Sequence, residues 1–360
     1  MSDFTSAFLN EDWGRAATPR VFLGAFGKHP AWNDHMDDIG LTTHSLATLR
    51  RVLYGSGIAA QIEGAAWENQ EPGKVLAEFD HVFCWRRPTE MIVGKVWTSR
   101  DGKGRRLYPM ILAAHCIDVP LDAVARDLLP ILDGVSHDCR TKTAAADVIA
   151  AIDAGQTEAR KHLNGETLAQ RGQSTLGVPA WTHYFDRNRL GLTRLFYHLL
   201  VQFQPFAPSF DALWSLDATP NRSRHLRVPV LSDARPGESF NTWLGFLATQ
   251  LDTAAPLLAV TPCGKTWIDV VVGEPVPADF FSLRAGPSAE PLVTDIPYQI
   301  DSELTQKLEP IFASLRLKEL PTISALNGQS VEANQALGQR WLARQRPSGR
   351  GLFNRIFRAG

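Results

Sequence analysis

Apolar positions along the chain alternate in short runs at several places and follow a helical period between them. Val21 to Phe26 predicts a strand, closed by Gly27 and by Pro30, which has no N–H for a ladder. Thr42 to Tyr54 puts Leu46, Leu49, Leu53 and Tyr54 on one helical side, with Thr43 or Ser45 as its cap. Ile58 to Trp67 predicts a second short helix after Gly57. Phe79 to Trp85, Met91 to Trp97 and Leu107 to His115 predict three strands, joined by Arg86-Arg87-Pro88-Thr89 and by a polar loop over 99–106 that carries two glycines. Short connections make an antiparallel meander the simplest pairing.

From Pro120 the period is helical again. Leu121, Val124, Leu128 and Leu132 make one stripe and Ala144 to Ile152 another, while Gln156 to Gln173 predicts a separate polar helix. Leu190 to Phe203 is the most apolar helical stretch, and Ser239 to Leu251 predicts a helix with Phe240, Trp243, Leu244 and Leu247 inward. His225 to Leu231 and Trp267 to Val272 predict strands, the latter nearly all β-branched and so buried. Leu257 to Val260 pairs with it across the Pro262–Lys265 turn. Residues 284–297, rich in Pro, Gly, Ala and Ser, predict a linker or surface loop, followed by helices over Leu304 to Leu315 and Val331 to Gln345.

These elements predict an α/β protein: a mixed, largely antiparallel sheet flanked by helices on both faces (three layers, α/β/α), with an extended C-terminal half. The organisation expected is a lead-in over 1–18, a core over 19–283, a linker with helices over 284–346 and a tail over 347–360. Within the core, 180–283 completes or extends the sheet.

Composition narrows the class. Of 360 residues, 37 Lys+Arg face 38 Asp+Glu, so nothing in the overall charge suits a polyphosphate partner. No apolar run approaches the ~20 residues a membrane helix needs, and the acidic N-terminus is unlike a secretory leader. Cys84, Cys116, Cys139 and Cys263 lie far apart and read as free buried thiols. The expectation is a cytoplasmic chain without nucleic acid as partner.

Three stretches carry candidate chemistry. The 28–38 loop gathers His29, Trp32, Asn33, Asp34, His35, Asp37 and Asp38. Such density suits metal ligation or acid–base work, yet turn-shaping and solvation use the same residues. No regular histidine spacing supports zinc, so no metal and no cofactor is expected. In the 99–106 loop, Asp101 either accepts backbone N–H groups with Arg105 bracing it, or Arg100, Lys103, Arg105 and Arg106 form an anion- or partner-binding tip. The third stretch is Gly351 to Arg358, where Leu352, Phe353, Ile356 and Phe357 stand at helical spacing beside Arg355 and Arg358. It is either a solvated tail or a basic amphipathic contact for an anionic membrane surface or a partner's groove. Gly264-Lys265-Thr266 ends like a phosphate-binding loop, but Ala259 stands where that motif needs glycine. Neither a nucleophile elbow nor a dinucleotide fingerprint is present.

Gly94, Ser99, Asp101-x-x-Gly104-Arg105 and then Tyr108-Pro109-Met110 resemble the Ser-x-Asp-x-x-Gly-Arg-(x)-Phe-Pro-Leu signature of the TagF/ImpM family. Gly24-Ala25-Phe26-Gly27-Lys28-His29-Pro30-Ala31-Trp32-Asn33-Asp34-His35 resembles that family's Gly-x-x-Gly-Lys-Leu-Pro-x-x-Gly-Asp-Phe segment, in the right order. His29, Asn33, His35 and Thr98 depart from the pattern, and the Asp101–Pro109 spacing is one residue longer. The likeness covers residues 20 to 116, and within the expected core 19–135 is the best-matched half. It implies a non-catalytic accessory or regulatory protein of a type VI secretion or related contractile system, acting through protein contacts, with a secretion-system scaffold among possible partners. By the same likeness Gly27, Lys28, Pro30, Trp32, Asp34, Ser99, Asp101, Gly104, Arg105 and Pro109 mark the binding loops. If they form one site, both loops sit at the same end of the sheet. Two other readings stand beside it: a membrane-surface adaptor working through Phe353, Arg355, Phe357 and Arg358, and a metal-dependent enzyme using the 29–38 loop.

Overall fold

The computed structural model describes residues 19–106, 108–163, 189–202, 225–231, 236–250 and 256–300, with single positions 302, 305, 306 and 309. Seven strands form one sheet: β1 (Arg20–Gly27), β2 (Asp80–Arg86), β3 (Glu90–Trp97), β4 (Met110–Ile117), β5 (His225–Pro229), β6 (Leu257–Pro262) and β7 (Trp267–Val272). Their order is β1-β4-β3-β2-β6-β7-β5, and every pairing between them is antiparallel. The meander β2-β3-β4 is as the apolar runs predict, although β4 begins at Met110, after Pro109, rather than at 107. The second-half strands join the same sheet, β6 pairing with β2.

Successive strand residues point to opposite faces, and here they sort into two apolar clusters. Val21, Val82, Val93, Leu112, Ala259 and Val270 join one cluster. It also takes residues of α2 (121–141), α3 (Ala145–His162), α4 (Arg189–Gln202) and α5 (Pro236–Gln250). Phe26, Phe83, Ile92, Ile111, Leu258 and Val271 join the other, with α1 (44–63) and the 3₁₀ segment Pro277–Leu283. The sheet therefore carries apolar packing on both faces. No helix among the described residues is long and apolar enough to cross a membrane.

Three expectations need correction, two of them helical. The stripes over 144–152 and 156–173 predict two helices, but Ala145–His162 is one uninterrupted helix. Gly155, inside this helix, lets α2 approach, since a Cβ there would lie 2.3 Å from Val135 Cγ2. Gly57 likewise does not separate two helices. α1 runs through it from His44–Leu49, by a π-helical stretch Arg50–Ile58, into Ala59–Glu63. A Cβ at Gly57 would meet the Phe280 ring at 2.4 Å, so close packing explains this glycine. The 284–297 segment is no free surface loop: Ala285, Val293 and Thr294 are buried.

The open edge of β1 is covered. Gln156 of α3 mimics a strand residue, accepting from Leu23 N at 2.7 Å and donating to Val21 O at 2.8 Å. Ala25 and Ile39 exchange backbone bonds of 2.8 and 2.9 Å just beyond. Paired in this way, the strand presents few free groups to another chain.

Candidate functional site

The register of β1 on β4 places Gly27 opposite Met110, and β3 on β4 places Trp97 opposite the same residue. The 28–38 and 99–109 connections therefore leave the sheet at one end, as the paired segments imply. Backbone bonds stitch them, Lys28 N to Pro109 O at 3.2 Å and Gly102 N to Trp32 O at 2.6 Å, while Met36 N to Gly27 O at 2.8 Å closes the first loop on itself. Gly102 permits that approach, because a Cβ would lie only 3.0–3.1 Å from Asn33 Oδ1, Pro30 O and Trp32 O.

Asp101 is the centre of the stitch. Its carboxylate accepts from Lys28 Nζ at 2.8 Å, from Arg105 Nε at 2.7 Å and from the N–H groups of Lys103 and Arg105 at 3.0 Å each. Gly104 closes the turn at φ +81°, with its N–H on Asp101 O at 2.8 Å. Arg105 then reaches across to Asp34 Oδ1 at 3.0 Å and Asn33 O at 3.2 Å. Burial would raise the Asp101 carboxyl, but Lys28 and the two donors of Arg105 outweigh it and hold the group well below the usual carboxylate range. A carboxylate so fixed and so firmly ionised is a structural anchor rather than a proton carrier. The turn-bracing reading of Asp101 describes it, with Lys28 as a third member.

The histidines of the 28–38 loop do not converge. His29 is buried, its Nε2 2.7 Å from Cys139 O and its Nδ1 accepting from Ala31 N, and burial lowers its pKa. His35 is exposed beside Asp34 and packs edge-on to Tyr54 and Tyr108. Trp32 leans its ring edge on His29 and donates Nε1 to Asp37 at 3.1 Å, while Asp38 pairs with Arg50 at 2.7 Å. Pro30 and Ser99 are half-buried and Pro109 buried. Of the residues implied by the family likeness, then, Gly27, Lys28, Asp34, Asp101, Gly104, Arg105 and Pro109 meet in one bracket, with Trp32 contributing its carbonyl. Phe353, Arg355, Phe357 and Arg358 lie outside the described residues, as does the whole 347–360 tail.

A second charged cluster has no counterpart in the sequence reading. His225 of β5 sits between two carboxylates, Nε2 2.8 Å from Asp269 Oδ1 and Nδ1 2.5 Å from Glu290 Oε1. Arg227, two residues along the same strand, forks onto Asp269 at 2.7 and 2.9 Å and donates to the carbonyls of Glu290 and Ala285. Among the described residues His225, Asp269 and Glu290 are the one group of three whose ligand atoms converge enough for a metal ion. The charges balance without one: burial alone would lower the His225 pKa, but both carboxylates raise it to about 9, so two cations face two anions. The cluster fastens the 284–292 segment to β5 and β7. A visible trace was the charged Asp269 inside an otherwise apolar run; Glu290, in a Pro- and Gly-rich stretch, gave none.

A third cluster ties α1 to the meander. Glu90 accepts from Ser45 Oγ at 2.8 and 2.9 Å, from Arg87 at 3.2 Å, and pairs with His115 Nε2 at 2.7 Å, while His115 Nδ1 meets the cap hydroxyl of Thr43 at 3.1 Å. The His115 bond, working against burial and helped by Ser45, lowers the Glu90 pKa to about 2.

Three histidines, His81 of β2, His198 of α4 and His225 of β5, set the sign of the pH response. Burial holds His81 and His198 at about 4, so the unfolded chain binds more protons below about 6.5 and stability falls as pH drops from there toward 4. His225 acts oppositely: its contribution is complete below about 6.5 and is lost as pH rises through about 9. The urea midpoint is expected to decline on both sides of neutrality, and His225→Gln to remove the decline between about 6.5 and 9. An unchanged alkaline limb in that variant would refute the role of His225.

Searched against models of known protein families the chain matches none, and no curated protein matches it either.

Proposed function

We propose that this chain is a non-catalytic, cytoplasmic accessory or regulatory protein of a type VI secretion or related contractile system, working through protein contacts at the surface shared by the 28–38 and 99–106 loops. The observation that carries this reading is the Lys28–Asp101–Arg105–Asp34 bracket. It joins residues from both segments that resemble the TagF/ImpM family, which lie far apart in sequence. The bracket also has the character of a binding platform: its central carboxylate is committed inward, and its rim, with Asp34 and Arg105 at 65% and 50% side-chain exposure, faces solvent. A rigid loop pair loses little conformational entropy when a partner docks.

Affinity capture from the native host tests it. The parent chain is expected to enrich contractile-system components, and Asp34→Ala with Lys103→Ala, whose exposed side chains do not touch Asp101, to reduce that enrichment by about tenfold while the thermal midpoint stays close to the parent's. Enrichment of no such component, or equal enrichment by the variant, would remove the proposal.

A further inference from the structure

The surface of this bracket is divided by sign. On the 99–106 side Arg100, Lys103 and Arg106 are exposed, and none of them has an ion pair among the described residues. The carboxylate of their own loop, Asp101, is withdrawn to Lys28 and Arg105 and leaves the three cations unneutralised. On the facing side Asp34, Asp37 and Asp38 are exposed. At the solvent-facing rim Arg105, paired with Asp34, crosses between the two lips, while the Lys28–Asp101 pair joins them underneath.

We infer that this surface takes an acidic segment of a partner protein, its carboxylates lying on Arg100, Lys103 and Arg106 while a cationic side chain of the same segment reaches Asp34 and Asp37. The inference rests on the reading of the loop pair as a protein-contact surface and adds the chemistry of what it contacts. Complementary potentials of this kind fix orientation and reject partners of the wrong pattern. Arginine also favours carboxylates geometrically, since its planar fork meets both oxygens at once. Lys103 stands on a fixed turn, held by the Asp101–Arg105 backbone bond of 3.2 Å and the Gly104–Asp101 bond of 2.8 Å, with Arg100 and Arg106 flanking it, so the backbone that carries the cations is largely set before binding.

Two other anionic partners fit less well. Single-stranded nucleic acid binds where aromatic faces alternate with cations. The 99–106 loop has no aromatic residue, and the nearby Trp32 is tied to Asp37 and His29. A continuous polyphosphate would also run against the acidic lip. A membrane surface needs apolar side chains to insert, and the exposed residues of 102–106 are Gly, Lys, Gly, Arg and Arg.

Fluorescence anisotropy with defined probes decides the matter. The probes are a short labelled peptide with a glutamate block followed by lysine, the same peptide with every charge reversed, a single-stranded RNA of equal length, and vesicles containing phosphatidylserine. The full chain is expected to bind the glutamate-block peptide and to lose that binding as salt rises. Arg100→Glu with Lys103→Glu and Arg106→Glu should weaken it by at least about tenfold at an unchanged thermal midpoint. Arg100→Lys with Arg106→Lys should retain most of it, separating charge from fold. The inference is overturned if the glutamate-block peptide does not bind, if the triple reversal leaves its binding intact, or if the reversed peptide, RNA or vesicles bind as tightly. Failure of the type VI setting is distinguishable. Peptide binding lost in the triple variant, with no contractile component captured from the host, keeps this inference and removes the setting. Contractile components captured equally by the triple variant keep the setting and remove this surface.

Discussion

Arg227→Ala is expected to lower the stability of the folded chain by about 3–5 kcal/mol, the scale on which removal of one partner of a buried ion pair acts. The Arg227 side chain is 0% exposed and that of Asp269 3%, so neither charge has water to fall back on. Truncation deletes both bonds onto Asp269 and leaves the buried carbonyl of Ala285 and the half-buried carbonyl of Glu290 without the guanidinium that serves both. It also removes the guanidinium lying 4.9 Å from the centre of the Trp267 ring. His225 remains on Asp269 but must also serve Glu290. The companion experiment is Arg227→Met with Asp269→Leu. Because replacing a whole buried pair by apolar groups of similar size removes two desolvation penalties together, the double variant is expected to lose less than Arg227→Ala alone. Equilibrium denaturation of the three proteins reads the difference. A single-variant loss below about 1 kcal/mol would mean the network is not what fastens 284–292 to the sheet.

That network also shows where sequence reading stops. The strands themselves were legible, because β-branched and aromatic runs such as Phe79–Trp85 and Trp267–Val272 permit few other conformations, and the hairpin partners followed from short connections. Which distant strands meet was not legible. Nothing in Leu257–Val260 indicates that it pairs with β2, since alternation fixes a face and not a neighbour. The same limit applies to sites. Asp101 and Arg105, four residues apart around two glycines, announce a braced turn. Lys28, which completes it from 73 residues away, was reachable only through the family likeness. His225 and Asp269 lie 44 residues apart, and their encounter depends on the β5–β7 register. Gly57 misled for a related reason: a glycine that admits a neighbouring side chain looks, along the chain, like one that ends a helix.

Gly27→Ala is the second large effect expected, and it bears directly on the candidate surface. Gly27 has φ +116°, a conformation outside the regions open to residues with a Cβ. A Cβ would also lie 2.3 Å from Pro109 O and 3.1 Å from Met110 Cα, both backbone atoms that no rotamer change can move. Backbone strain of this kind and overpacking cost about 1–3 kcal/mol each, so the variant should lose about 2–6 kcal/mol if it keeps the fold. The damage should be local in character. The Lys28 N to Pro109 O bond is the first to be pulled apart, and it sets the height at which Lys28 meets Asp101. Amide hydrogen exchange should therefore rise first at Lys28, Gly102 and Gly104, whose N–H groups all bond within the stitch, and only later in β2 and β3. Gly24→Ala is the control. It also adds a Cβ to β1, but its nearest contact is the movable Leu41 side chain at 2.8 Å and its φ is not positive, so it should cost less and leave the two loops protected. Equal loss in the two variants, or exchange spreading uniformly through the sheet in Gly27→Ala, would show that the motif glycine serves the strand and not the junction of the two loops.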